Sequence, residues 1–198
     1  MSKAVMLSIR PKWVEKIASG EKTIEVRKTK PKLETPFKCY IYCTRDKHLA
    51  FMQNQTGTNL IACMNAETAI PVGGAIGNGK VIGEFVCDCV TPLYNVCMDD
   101  WKRLAGGLHN VEKELVNQAC LTEAKLHTYA GGKNCFAWHI SDLKIYDAPK
   151  ELSEFKTLCR VDADCCACPY YNYTKMDCDG RVIGRPPQSW CYVDDANA

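Results

Sequence analysis

With 198 residues, 46% of them hydrophobic and 24% charged, the chain has the make-up of a soluble globular protein that can bury one good core with room for an appendage. No apolar run reaches the length of a membrane span, which excludes a helical membrane protein, and a formal net charge of +2 excludes a polycation. The start, Met1 to Ile9, has too short an apolar core for a signal peptide and no cleavage site, which points to a cytoplasmic protein.

Residues 3–9 read as a first strand. Arg10-Pro11 opens a helix, with proline at its first position and Val14, Ile17 and Ala18 on one face. Ser19-Gly20 stops it, with glycine free to take the left-handed conformation that ends helices. From Thr23 to Lys28 the pattern alternates. Ile24 and Val26 face one side, and Thr23, Glu25 and Arg27 the other. Lys38 to Thr44 is another strand, with Tyr40 and Tyr42 alternating against Cys39, Ile41 and Cys43. Residues 45–79 show few periods and read as a long excursion from the main body. Asn78-Gly79 turns into one long strand, Lys80 to Val90, apolar on both faces as a central strand should be. Asp99–Leu104 and Glu112–Leu121 look helical. Cys135–Ile140 is a strand, extended past a bulge by Leu143–Tyr146, and Pro149 marks a boundary. The expected division is a body over 1–149 and an extension over 150–198.

From Lys22 to Lys38 the bases Lys22, Arg27, Lys28, Lys30, Lys32 and Lys38 stand against only Glu25 and Glu34. Such a strip suits a local polyanion contact, and equally a solvated edge strand whose lysines discourage aggregation. Within it, Lys22, Glu25 and Arg27 put an ammonium, a carboxylate and a guanidinium into six residues. Glu25 and Arg27 share a strand face, where they can pair and offer both an acceptor and donors to a base edge or a phosphate. Spacing alone favours a plain surface salt bridge, worth little.

Fourteen cysteines are many for a chain without an export signal. Eight lie between Cys39 and Cys135 in apolar runs and read as small buried hydrophobes. The rest crowd the tail, where Cys165 and Cys168 form a C-x-x-C. Cys178 and Cys191 can complete a tetrahedral zinc site, with Cys159 as a substitute. Structural zinc is set slightly ahead of several free buried thiols around Tyr170, Tyr171, Tyr173 and Trp190. The tail's Arg185-Pro186-Pro187-Gln188-Ser189-Trp190-Cys191-Tyr192 is stiffened by its prolines. Trp190 there can pack on the body, the favoured role, or stack on a base. Gly74 to Lys80 imitates a phosphate-binding loop, but Val81 stands where a Ser or Thr is needed, so it reads as a hairpin turn.

The segment Gly20, Lys22, Glu25, Arg27 matches every position of the G-x-K-x-x-E-x-R motif of the ASCH family, and on it the chain resembles that branch of the PUA-like barrels. The resemblance extends to Leu7-Ser8-Ile9-Arg10-Pro11-Lys12, to Val81-Ile82-Gly83-Glu84-Phe85, and to Tyr129-Ala130-Gly131-Gly132 leading into Phe136-Ala137-Trp138-His139-Ile140. The whole chain looks most like the larger prophage members. The resemblance implies an α+β fold: a PUA-like small mixed or antiparallel β-barrel with flanking helices, here carrying a Cys-rich C-terminal extension. It implies binding of RNA or a modified nucleotide in a cleft, with Glu25 accepting from a base or ribose and Lys22 and Arg27 on phosphate or base. Some relatives are hydrolases, either ribonucleases or amidohydrolases of modified nucleosides, and there Lys22 and Glu25 would be the acid/base pair. The amidohydrolases use a threonine where this chain has Glu25, so the hydroxyl of that subtype is missing. A third reading is a phage-encoded interaction protein that sequesters a host factor or signalling nucleotide, using the 45–79 excursion.

Overall fold

A computed structural model describes residues 3–54, 62–65, 74–94, 113–158, 171–172, 177–178 and 181–195. Strand β1 (Lys3–Ile9) runs through Arg10 into helix α1 (Pro11–Ala18), which opens on proline as expected. Ser19 ends the helix, and Gly20 follows with φ +77°, a conformation that side chains resist. Strands β2 (Ile24–Arg27) and β3 (Phe37–Cys43) come next. The 45–79 excursion carries order that its sequence hid. Strands β4 (Leu49–Asn54), β5 (Ala62–Asn65) and β6 (Gly74–Ile76) form their own antiparallel sheet, in the order β5-β4-β6. Asn78 fastens it to the following turn, accepting from Phe51 N at 2.7 Å and donating to the Leu49 carbonyl at 2.8 Å.

The long strand expected from Lys80 to Val90 is two strands. β7 (Val81–Cys87) and β8 (Val90–Tyr94) are split at Asp88-Cys89, because the chain leaves one sheet there and joins another. The same happens after β9 (Cys135–His139), where Ile140 separates it from β10 (Ser141–Lys150). The two corners are stitched together. His139 N donates to the Cys89 carbonyl at 3.0 Å, Asp88 Oδ1 lies 2.6 Å from His139 Nδ1, and Ser141 Oγ donates to the Val86 carbonyl at 2.9 Å. Pro149 lies within β10, an edge strand, which is where a sheet tolerates a residue without an N–H.

The main sheet has the order β10-β7-β3-β1-β13, where β13 is Trp190–Asp194. β1 and β3 are parallel, and the other pairings are antiparallel. A second sheet, β2-β9-β8, packs against it. Val5, Leu7, Ile9, Cys39, Ile41 and Cys43 face the inner core, where they meet Trp138 of the second sheet and Val14 and Ile17 of α1. The opposite residues, Ala4, Met6, Tyr40 and Tyr42, are also buried. Phe155, Ile183 and Val193 from beyond residue 150 cover them. β1 and β3 are therefore apolar on both faces because each face has its own lid. Ile24 and Val26 form a third cluster with Val116, Leu126 and Ala130. These come from α2 (Lys113–Gln118), shorter than the expected helix, and α3 (Glu123–Ala130), which periodicity did not reveal. α3 is punctuated at both ends. Thr122 Oγ1 accepts from Lys125 N, and Gly131 closes it in the left-handed conformation. The Asp99–Leu104 helix falls outside the described residues.

The architecture is α+β and PUA-like, mostly strands with three helices among the described residues. None of those helices is long and apolar enough to cross a membrane. At Gly83 in β7 a Cβ would lie 2.5 Å from the Lys144 carbonyl oxygen and 3.2 Å from Ile145 Cα. Gly83→Ala should therefore destabilise the fold by about 1–3 kcal/mol in urea unfolding, as overpacked sites do. A change within a few tenths would mean that β10, lying at the sheet edge, simply moves aside.

Candidate nucleic-acid interface

Lys22, Glu25 and Arg27 converge. The register pairs Glu25 with Trp138 and Arg27 with Phe136, so both motif residues occupy the face of β2 turned away from α2 and α3. Lys22 sits just after the Gly20 turn. Its backbone is fixed by Lys22 N donating to the Lys16 carbonyl at 2.8 Å, and Thr23 N bonds to Gln118 O at 3.0 Å. Lys22 Nζ lies 3.4 Å from Glu25 Oε2, and Arg27 Nη2 lies 3.0 Å from Glu25 Oε1. The three residues are 3%, 7% and 6% exposed, which rules out the surface salt bridge that spacing favoured.

The cluster also ties the structure together. Lys22 Nζ donates to the Ile24 and Ala119 carbonyls at 2.5 and 3.0 Å, beneath the Trp13 ring. All three of its protons therefore have an acceptor within reach. Arg27 reaches from the second sheet to the first. Nη2 donates to the Ser8 carbonyl at 2.9 Å, and Nη1 to the Ser189 carbonyl and hydroxyl at 3.1 and 3.3 Å. Arg27 Nε is buried and finds no acceptor among the described residues. Two cations share one carboxylate, so among the described residues the cluster carries one uncompensated positive charge. Among the described residues, one groove is lined by Lys30, Leu33 and Phe37 among others and another lies beside Ser8, and Lys22, Glu25 and Arg27 line neither of them.

The basic strip continues outward past the end of β2. Lys28 is half-buried, while Lys30 and Lys32 are exposed. Their ammonium groups sit over aromatic rings: Lys28 Nζ is 5.1 Å from the Tyr129 centroid and Lys30 Nζ is 5.8 Å from that of Phe136. Tyr129 is 41% exposed, yet its hydroxyl donates to the Val26 carbonyl at 3.3 Å. Partial burial pushes its phenol above the usual range, with Arg27 pulling it down and Glu25 pushing it up. The tail braces this loop. Trp190 Nε1 donates to Thr29 Oγ1 at 2.9 Å, and Tyr192 Oη accepts from Lys32 N at 2.7 Å. Trp190 also packs on the body, 6.0 Å from Trp138. Tyr40 and Tyr42 of β3 lie in the outer core, away from this face.

Tyr129 was visible in the sequence only as part of the closing-strand resemblance. The signals that locate it are the Thr122 cap and the Gly131 stop, which make the intervening segment a helix.

For the expected metal set, Cys165 and Cys168 lie outside the described residues, as does the side chain of Cys178. Cys191 is in β13, and burial pushes its thiol up to about 11. Among the described residues, no group of three or more His, Cys, Asp and Glu is placed to hold a metal ion. Cys39, Cys43, Cys87 and Cys135 are buried cysteines, as their apolar settings suggested.

A family model described as the ASCH domain matches residues 7–150. Among solved structures, the crystal structure of ASCH from Zymomonas mobilis is 17% identical at a TM-score of 0.51, covering 98% of this chain and 90% of that one. A serine-to-alanine mutant of the same protein gives 17% identity, a TM-score of 0.50 and coverage of 97% and 89%. At this identity the likeness concerns the fold alone. No curated protein matches the sequence.

Proposed function

The chain belongs to the ASCH domain family, and from that premise we propose that it binds RNA or a nucleotide along the face that runs from the Lys22–Glu25–Arg27 cluster to Lys28, Lys30 and Tyr129. The observation that carries this reading is Tyr129. An aromatic ring lies open to solvent, its hydroxyl is pinned to the β2 backbone, and an ammonium group stands over it. A rigid ring beside a cation is what an unpaired base and its phosphate require, and it tolerates many sequences. Among the described residues, the buried cluster behind it supplies a positive charge that no counter-charge offsets, and Arg27 Nε is a donor still without an acceptor.

The test uses residues whose removal leaves the core alone. Fluorescence anisotropy with a labelled single-stranded RNA would compare the wild type with a Lys28→Ala/Lys30→Ala double variant across salt concentrations. The slope of log affinity against log salt should fall by about 1.4, roughly 0.7 for each phosphate no longer neutralised. Tyr129→Leu should weaken binding by about 1–3 kcal/mol and leave that slope nearly unchanged. Wild-type affinity and slope in both variants would remove the assignment.

A hydrolase reading draws on the same buried Lys22–Glu25 contact at 3.4 Å. Binding is favoured over it because the Lys22 donors are already engaged, two of them by backbone carbonyls. RNA cleavage by the wild type that disappears in Glu25→Gln, with the fold retained, would reverse that order.

A further inference from the structure

Beside Ser8, away from the lysine strip, a groove of about 580 Å³ opens between the ends of β1 and β3 and the tail segment 182–188. That is within the usual size range for a small-molecule site. Tyr42 lines it and is 4% exposed, yet its hydroxyl has no hydrogen-bond partner among the described residues. Among the described residues the buried side-chain atoms without a partner are Arg27 Nε and Trp138 Nε1, so the Tyr42 hydroxyl is open to the groove and can bond to what enters it. Arg45 lines the same groove. It is exposed and has no hydrogen bond or ion pair among the described residues. Its charge is felt at Tyr42, where it works against the upward push that burial gives the phenol. Gly79 leaves room for it: a Cβ there would lie 3.0 Å from Arg45 Nε.

The other charged group on the wall is Glu151, and Lys80 holds it at 2.8 Å. Among the described residues, Arg45 is thus a cation of the groove without a counter-charge. Thr44, Ser153 and Gln188 add polar groups from three separate segments. Donors that arrive from several elements suit a tetrahedral oxyanion better than a flat carboxylate. Leu152, Ile183 and Pro187 supply apolar wall.

We propose that this groove is a second binding site, for a small organic molecule bearing a phosphate group, with Arg45 and Tyr42 as the phosphate donors and Leu152, Ile183 and Pro187 facing its organic part. The site is independent of the RNA reading, since none of Lys28, Lys30 and Tyr129 lines it.

Calorimetric titration of the full chain with phenyl phosphate, benzoate and inorganic phosphate tests the proposal. Phenyl phosphate should bind more tightly than either of the others. Arg45→Ala should weaken it by about tenfold or more, the loss of a charge-assisted hydrogen bond, and Tyr42→Phe by roughly three- to tenfold. Tyr42→Phe should also leave the ligand-free melting temperature unlowered, because the hydroxyl it removes has no hydrogen-bond partner among the described residues. The Lys28→Ala/Lys30→Ala variant should bind phenyl phosphate like the wild type. No binding of phenyl phosphate, binding that survives both groove variants, or equal binding of benzoate would each overturn the proposal.

Discussion

Glu25→Ala should destabilise the protein by about 3–5 kcal/mol, the usual cost of removing one partner from a buried ion pair. The reason lies in what remains. Lys22 and Arg27, 3% and 6% exposed, would be left as two neighbouring cations without the carboxylate that now lies 3.4 and 3.0 Å from them. Lys22→Met should cost less, because the carboxylate keeps its contact with Arg27. Urea unfolding of the two variants measures the difference. If Glu25→Ala lost less than about 1 kcal/mol, water would have to reach the cluster freely, and the surface reading of the motif would return. A binding assay on such a variant must be read together with its stability, which is why the exposed lysines serve as the primary functional probes.

Trp138→Ala should carry an expected loss of about 3–5 kcal/mol, typical of emptying a fully buried aromatic site. Trp138 lies across from Glu25 in the β2–β9 register and is wholly buried. Its ring meets Phe37 edge-on at 5.6 Å and Trp190 at 6.0 Å, so it joins both sheets and the last strand. Its Nε1 has no acceptor among the described residues. Trp138→Phe should therefore give back much of the loss, since it fills part of the cavity and removes the unpaired donor. Denaturant midpoints of the two variants provide the check. Equal losses would mean that the indole nitrogen has a partner, such as a bound water, that the phenyl ring cannot replace.

The amino-terminal third was legible because its elements announce themselves. Pro11 and Gly20 bracket a helix, and the alternations in 23–28 and 38–44 describe strands whose faces the structure keeps, as Ile24–Arg27 and Phe37–Cys43. The motif residues were also legible, but their burial was not. Strand parity states that Glu25 and Arg27 share a face; it does not say whether another layer covers it. Here the cover comes partly from Ser8 and Ser189, one of them more than 160 positions away. The sheet within 45–79 escaped because strands of three to six residues leave too little sequence for a period to emerge. The split at Asp88-Cys89 escaped because apolar residues stand on both sides of the corner, Val86-Cys87 before it and Val90 after it. The Arg45–Tyr42 groove had no sequence signal, since its walls come from five separate stretches of the chain.

One pairing bears on how the molecule comes to exist in a cell. β1 is bordered by β3 on one side and by β13 on the other, so the first of the described strands waits for the last of them. On a ribosome, that flank stays open while some 150 further residues are synthesised, on the order of ten seconds or more at ordinary elongation rates. Until then the nascent chain presents a bare apolar ribbon edge, a template on which a neighbouring copy can add itself. Fast release of a finished chain, or shelter by a chaperone, would decide the yield of native protein more than any single contact inside it.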